Sequence, residues 1–219
     1  MSNVGEWKFV IENWDNLLKN DKKTIIRTLR IGIPDKYRKI VWSLLTESKK
    51  VKEKTDFSFN YMLELPSSSE DIINCDVPRT FSMDVKNRDS RMVSLKDVLI
   101  AYSNADPGIG YVQGMNFVAG MFVCYQDTET AFWSFYSLMQ RSHRDLFVDQ
   151  FKHLRELGVV ITHALERKLP KVHQKFEELE ISPLLYSPIW FNSCFIPAEL
   201  DQELTLFLFD EYLAFGETI

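Results

Sequence analysis

Apolar side chains recur with the helical spacing i, i+3, i+4, i+7 along almost the whole chain, and this periodicity constrains the fold most. The spacing begins in the segment from Trp7 to Leu18 and returns as far as residues 204–213. From Met115 to Val123 the chain is apolar on nearly all sides, which is typical of a helix buried at the centre of a domain. No stretch alternates apolar and polar residues as a strand would. We therefore predict one all-α domain of about 10–12 helices without a sheet.

Local signals divide this helical pattern into elements. Residues 48–58 are rich in Lys and Glu and have no periodicity, so we predict an exposed connection there. Residues that typically cap or end helices stand at the other predicted boundaries, namely Asp21, Ser69, Ser94 and Asp127 at the beginnings and Pro78 and 104–108 at the ends.

Composition excludes several classes of protein. The chain carries 16 Phe, 8 Tyr and 5 Trp, and a chain this aromatic does not remain disordered. Its 31 acidic residues outnumber its 26 basic ones, which disfavours nucleic acid as a partner. The three cysteines form no CxxC pair, so neither a disulfide scaffold nor a zinc module is indicated. The longest apolar stretch, Phe117 to Tyr125, is too short to cross a bilayer, so we expect no direct membrane insertion.

The loop 108–114 carries the first chemically suggestive pattern. Its GxGxxxG spacing is one residue longer than a dinucleotide fingerprint and follows a helix rather than a strand, so that interpretation fails. Gln113 stands at the amino end of the predicted buried helix, where unpaired N–H groups favour a phosphate. Its amide both donates and accepts hydrogen bonds, as a residue that positions a water against a phosphoryl group must. The alternative is an amide that caps its own helix, and the spacing alone favours that alternative.

The second suggestive residue is Arg79. Pro78 ends the preceding helix, so Arg79 projects from a turn and can reach into a partner's anionic site. A guanidinium matches phosphate oxygens with two parallel hydrogen bonds. The alternative is a surface ion pair with Asp76, worth at most about 1 kcal/mol, and local spacing alone favours the ion pair.

Together these segments resemble the TBC domain family, the GTPase-activating domains for Rab-type small GTPases. The matching residues, in the family's order, are Arg30–Pro34 with Arg38 and Trp42, Ile73 with Asp76 and Arg79–Phe81, Tyr111 with Gln113–Asn116, and Trp190–Phe191 with Pro197, Phe209–Asp210, Leu213 and Gly216. Two central motifs at this spacing, bracketed by the other two, are specific. The resemblance implies N-terminal helices over residues 1–29 and a TBC domain over residues 30–219.

The resemblance also implies a mechanism in which two side chains act on a GTP-bound Rab. Arg79 is then the arginine finger and Gln113 the glutamine finger, which takes over the positioning of the attacking water. The chain would be an activator of a GTPase rather than a hydrolase of a free substrate. It would need no cofactor of its own, because the Rab carries GTP and Mg²⁺.

Further residues receive supporting roles from the same resemblance. Asp76 is expected to hold the arginine or to contact the GTPase, while Tyr111 and Gly114 shape and pack the loop. Arg38 and Trp42 are expected to support the fold near the site, with contact to the partner as the alternative for Arg38.

The sequence departs from the family pattern at three places. Ser82 stands where the family often has Pro, and Phe209 replaces the usual Trp. The family pattern also continues into more helices beyond the position of Gly216, so we expect residues 30–219 to correspond to most of one such domain.

Localisation and the alternative functions follow from the resemblance and not from composition. The family implies a role in vesicle traffic, with a cytoplasmic location and recruitment to endomembranes through partners. The alternatives are a non-catalytic Rab-binding module on the same fold and a generic α-helical scaffold. Neither the charge nor the composition separates them, and no motif indicates which Rab is the substrate.

Overall fold

The computed structural model describes residues 4–81, 86–148, 151–196 and 200–216. Within these ranges the chain forms fourteen α-helices, several of only five to seven residues, and no strand. The α-helices are α1 (Val4–Glu12), α2 (Trp14–Asn20), α3 (Lys22–Leu29), α4 (Asp35–Leu45), α5 (Ser48–Lys54), α6 (Phe59–Glu64), α7 (Glu70–Asp76), α8 (Arg88–Ala105), α9 (Met115–Tyr125), α10 (Thr128–Met139), α11 (Lys152–Lys168), α12 (Pro170–Glu178), α13 (Ser187–Phe191) and α14 (Gln202–Phe215). The predicted all-α class is confirmed.

Two predicted caps hold their helices as expected. The Asp21 side chain accepts a hydrogen bond from the Thr24 backbone N–H at the start of α3. At the start of α10, the Asp127 side chain accepts from the Thr130 N–H at 3.0 Å. Each carboxylate satisfies an N–H group that has no partner within its helix, so these two boundaries could be read from sequence.

Other boundaries differ from the predictions. The first helix breaks at Asn13, whose side-chain amide donates to the Phe9 carbonyl and so competes with the helical backbone. Ser94 does not begin a helix, because α8 already starts at Arg88 and the Ser94 hydroxyl accepts a hydrogen bond from Thr128.

The predicted connection over residues 48–58 is wrong in secondary structure for residues 48–54, although most of these residues are exposed as predicted. Residues Ser48–Lys54 form α5, which packs against α10. Val51 packs against the hydrophobic core, and Lys52 pairs with Glu129 at 2.7 Å across the two helices. One apolar contact and one cross-helix ion pair thus accompany this helix. The local sequence does not indicate it, because a seven-residue helix has too few turns to display a helical period.

The centre of the core is α9, as its all-round apolar sequence predicts. It packs against α4, α8 and α10. At its carboxyl half, Trp42 of α4 meets Phe122 edge-on at 5.7 Å, and both rings contact Phe209 of α14. Its amino end emerges from the loop that carries Gln113. The core therefore fixes α9, and α9 fixes the place of that loop.

The helices before residue 30 share this core. Trp7 and Leu29 are buried within the same hydrophobic cluster, and the Trp7 indole donates to the Gly32 carbonyl at 2.9 Å. The division between residues 1–29 and 30–219 stays a prediction based on where the motifs begin.

Candidate functional site

Arg79 lies at the end of a short turn that continues α7. Residues Val77–Arg79 form one 3₁₀ turn, since Pro78 lacks the N–H needed to extend an α-helix. Ile73 and Val77 are buried and anchor the turn in the core. The Arg79 side chain remains 57% exposed. The local sequence thus presents a guanidinium to solvent from a rigid base.

The carboxylate of Asp76 connects Arg79 to a second segment. Its side chain is only 3% exposed. One oxygen, Oδ1, accepts from Arg79 Nη2, and the other, Oδ2, accepts from the Tyr111 hydroxyl at 2.5 Å. The Asp76–Arg79 ion pair that local spacing favours is therefore present, but its carboxylate is buried and shared rather than lying at the surface.

The Tyr111 phenol is held in its protonated form. Burial and the neighbouring Asp76 carboxylate both raise the pKa of Tyr111 above its usual range. The single phenolic hydrogen is within reach of Asp76 and of Asn116 Oδ1, which lies at 3.2 Å. Because the Asp76 contact is shorter and its acceptor is charged, the hydrogen goes to Asp76.

The loop before α9 is bent by glycines. Gly110 has φ +66° and Gly114 has φ +106°, a region that residues with a Cβ rarely occupy. Gly114 is the N-cap of α9 and lies against Asn192, which a Cβ at Gly114 would approach at 3.5 Å. Between these glycines the Tyr111 N–H donates to Ser69 Oγ at 3.2 Å. These contacts hold the loop against the start of α7.

Gln113 is exposed at the end of this loop. Among the residues that the structure describes, no hydrogen bond engages its side-chain amide. The Gly114 N–H at the helix start is instead taken by Asn116 Oδ1 at 3.1 Å. The interpretation of Gln113 as a cap of its own helix, which spacing alone favours, is therefore wrong. Within the described ranges, the exposed amide of Gln113 therefore has no competing partner.

A hydrogen-bond network joins the two segments. Asn116 Nδ2 donates to Thr80 Oγ1 at 2.8 Å, and Thr80 Oγ1 donates to the Asp76 carbonyl at 2.9 Å. Together with the Tyr111–Asp76 bond, these contacts tie the turn of Arg79 to the loop of Gln113. The structure thus brings together five of the predicted site residues: Asp76, Arg79, Tyr111, Gln113 and Gly114.

The sequence predicts no role in the site for Asn116 or Thr80, and it predicts only a helix cap for Ser69. The sequence does carry a signal for Asn116, because it is a polar residue within an otherwise apolar run. In the structure Asn116 is only 1% exposed. A buried amide needs hydrogen-bond partners, and the partners of Asn116 prove to be the two segments of the site. The Ser69 hydroxyl, predicted as a helix cap, makes no cap hydrogen bond to α7.

A pocket of about 460 Å³ opens beside Gln113. Its remaining lining residues are Val112, Gly114, Phe117, Phe151, Leu154, Pro188, Asn192 and Ser193. The walls are mostly apolar, so the polar amide of Gln113 stands at the edge of an apolar concavity.

Arg38 and Trp42 lie away from this cluster. They bind Asp210 of α14, Arg38 through Nη2 at 3.3 Å and Trp42 through Nε1 at 2.7 Å. Burial raises the pKa of Asp210 to about 6, against the opposing effect of Arg38. Since Trp42 contacts Phe122 and Tyr125, this group sits at the end of α9 remote from Gln113. Their predicted place near the site is not observed; they join α4 to α14.

Three further findings bear on the predictions. Within the described ranges, no three His, Cys, Asp or Glu side chains gather as a metal site would require. None of the helices in the described segments combines the length and hydrophobicity of a membrane span. Ser82 and Pro197, two positions of the predicted motifs, lie outside the described residues.

Comparison with known families identifies the chain. The model of the Rab-GTPase-TBC domain family matches residues 35–219, which is most of the sequence. The chain belongs to this family. The matched residues include all five residues of the network-linked site.

Several named relatives are similar to most of this chain. TBC1 domain family member whacked of Drosophila melanogaster is 28% identical over 216 residues, covering 96% of this chain and 59% of the relative. Rab GTPase-activating protein tbc-11 of Caenorhabditis elegans is 29% identical over 218 residues, covering 96% of this chain and 23% of the relative. GTPase-activating protein GYP5 of Eremothecium gossypii is 31% identical over 191 residues, covering 86% of this chain and 22% of the relative. This TBC chain spans less than two thirds of the length of each.

Solved structures agree on the fold. The Chlamydomonas flagellar RabGAP TBC domain superposes with a TM-score of 0.72 at 21% identity, covering 97% of this chain and 75% of that one. The Ypt/Rab-GAP domain of Gyp1p superposes with a TM-score of 0.71 at 17% identity, covering 98% and 80%. At these identities the likeness establishes the all-α TBC fold.

Proposed function

We propose that this TBC domain accelerates GTP hydrolysis by a Rab-type small GTPase in its GTP-bound state, with Arg79 and Gln113 entering the partner's active site. The observation that carries the proposal is the network through Asp76, Tyr111 and Asn116, which links an exposed arginine to an available glutamine. Two named relatives are themselves called GTPase-activating proteins.

Phosphoryl transfer explains why these two residue types would act together. Negative charge spreads over the transferring phosphoryl group, and a water must be held in line with the bond that breaks. Arg79 would neutralise the charge through its fork of N–H donors. Gln113 would accept a hydrogen bond from the water and donate one to the phosphate. GTP and Mg²⁺ would be carried by the GTPase.

The Asp76 ion pair suits a mobile Arg79. The arginine is 57% exposed, so its guanidinium can turn from the carboxylate to phosphate oxygens, which accept the same charge-assisted hydrogen bonds. Asp76 keeps the Tyr111 hydrogen bond when Arg79 leaves, and its buried carboxylate is not stranded. The pair would hold Arg79 near its working position until a GTPase binds.

The experiment is a turnover screen of this chain, in catalytic amounts, against a panel of GTP-loaded Rabs. The proposal expects multiple-turnover stimulation of at least one Rab, lost in Arg79→Ala. Arg167→Ala, an exposed arginine on α11, serves as the matched control and should keep full stimulation. Nucleotide-dependent binding with hydrolysis at the intrinsic rate would instead assign a non-catalytic Rab-binding module. In either case, we propose that the chain is recruited to endomembranes through its binding partners.

A further inference from the structure

Arg88 contacts the turn of Arg79 from the start of α8. It is the first residue of that helix, and it is partly buried. Its guanidinium donates from Nη2 to the Pro78 carbonyl and from Nε to the Phe81 carbonyl, the latter at 3.3 Å. One side chain therefore bridges two backbone acceptors, and Arg79 lies between them in the chain.

This bridge is specific to an arginine. A guanidinium presents several N–H donors in a fixed plane, so it can hold two carbonyls at a defined separation. A lysine ammonium in the same place carries the charge but lacks that geometry. Both of these hydrogen bonds of Arg88 go to backbone carbonyls and neither goes to a carboxylate. In the described contacts, Arg88 therefore binds the backbone of the turn and not an ion-pair partner.

Other groups hold the residues that follow Arg79. Thr80 is fixed by Asn116, and Phe81 lies close to Gly120 of α9, where an added Cβ would come within 3.3 Å of its ring. These contacts act on the side chains that follow Arg79. Arg88 complements them by holding the backbone on both sides of Arg79.

We propose that Arg88 is a positioning residue, which sets the backbone from which the Arg79 guanidinium reaches its target. The expected effect on catalysis rests on the proposed function of Arg79. Displacement of a catalytic group by about 1 Å costs up to about 100-fold in rate. Loss of the bridge should therefore slow the chemical step without weakening encounter with the GTPase.

The first test measures the turn directly and needs no GTPase. The Thr80 N–H donates to the Val77 carbonyl at 3.2 Å, and its hydrogen exchange reports opening of the turn. Arg88→Ala should speed exchange in the peptide that covers residues 77–81 by about 5- to 10-fold, as expected for a lost hydrogen bond. Lys86→Ala, an exposed cation two residues away, should leave that exchange unchanged.

The second test separates kcat from KM with the GTPase that responds in the turnover screen. Arg88→Ala should lower the stimulated kcat by about 10-fold and change KM by less than about twofold. Arg88→Lys, which keeps the charge and guards against loss of fold, should also lower kcat, since it cannot form the bridge. Lys86→Ala should match the wild-type protein.

The outcomes are distinct. Faster exchange together with a lower kcat supports the proposal. Unchanged exchange overturns it, because any loss of kcat would then come from a direct contact between Arg88 and the GTPase. Faster exchange with an unchanged kcat also overturns it, since the bridge would then be structural alone. If the wild-type protein stimulates no GTPase, the proposed function fails, while the exchange result still decides whether Arg88 holds the turn.

Discussion

The bond between Tyr111 and Asp76 gives the sharpest prediction of the structure. Tyr111→Phe keeps the ring in its buried place and removes the hydroxyl that donates to Asp76 Oδ2 at 2.5 Å. A hydrogen bond to a charged group contributes about 1.5–3 kcal/mol, and the buried carboxylate has no solvent to replace it. We therefore expect the free energy of unfolding to fall by that amount. For a chain of this size the midpoint temperature should drop by about 3–12 °C.

Urea unfolding followed by circular dichroism measures this change directly. Tyr61→Phe is the matched control, because Tyr61 is 56% exposed and its hydroxyl should contribute less than about 0.5 kcal/mol. In an Asp76→Asn background the cost of Tyr111→Phe should shrink to about 0.5–1.5 kcal/mol, since the acceptor is then neutral. Equal effects of Tyr111→Phe and Tyr61→Phe would refute the reasoning that this bond joins the two segments.

Three further substitutions test other parts of the fold. Burial lowers the pKa of His143 to about 3, so it stays neutral in the folded protein while the unfolded chain gains a proton below pH 6.5. Stability should therefore fall by about 2 kcal/mol from pH 7.5 to pH 5 on this account alone, and His143→Gln should remove that part of the slope in unfolding titrations. Gly120→Ala should cost about 1–3 kcal/mol, because its Cβ would lie 3.0 Å from Thr80 Cγ2 and 3.3 Å from the Phe81 ring. Gly5→Ala meets nothing within 4 Å and should instead stabilise by about 0.5–1 kcal/mol; a gain from both changes would contradict the close packing of α9 on the turn.

The helical class and several boundaries follow from local chemistry alone. A carboxylate at Asp21 or Asp127 caps whatever helix follows it, and the all-round apolar run of α9 requires a central position. Local signals fail where long-range contacts decide. The helix α5 gains its support from α10, and Ser94 forms a hydrogen bond with Thr128 instead of capping.

In the candidate site, too, the sequence predicts some residues, while others depend on long-range contacts. The motifs point to Arg79 and Gln113, but neither the spacing nor the composition indicates that Asp76 bonds to Tyr111, which is 35 positions further along the chain. The predicted place of Arg38 near the site is wrong for a related reason. Its helical spacing to Trp42 correctly puts both on one face, yet the position of that face in the domain depends on Asp210, which is 172 residues from Arg38 along the chain.

The central claim is that Arg79 and Gln113 act on one GTPase active site. The most direct test is a single-turnover measurement of GTP hydrolysis by a responsive Rab at saturating TBC domain, with Arg79→Ala and Gln113→Ala beside the wild-type protein. Arg167→Ala and Gln174→Ala, two exposed positions on α11 and α12, are the matched controls. We predict that each of the first two variants loses at least about 100-fold of the stimulated rate while the controls keep it. Full stimulation by either Arg79→Ala or Gln113→Ala would contradict the account.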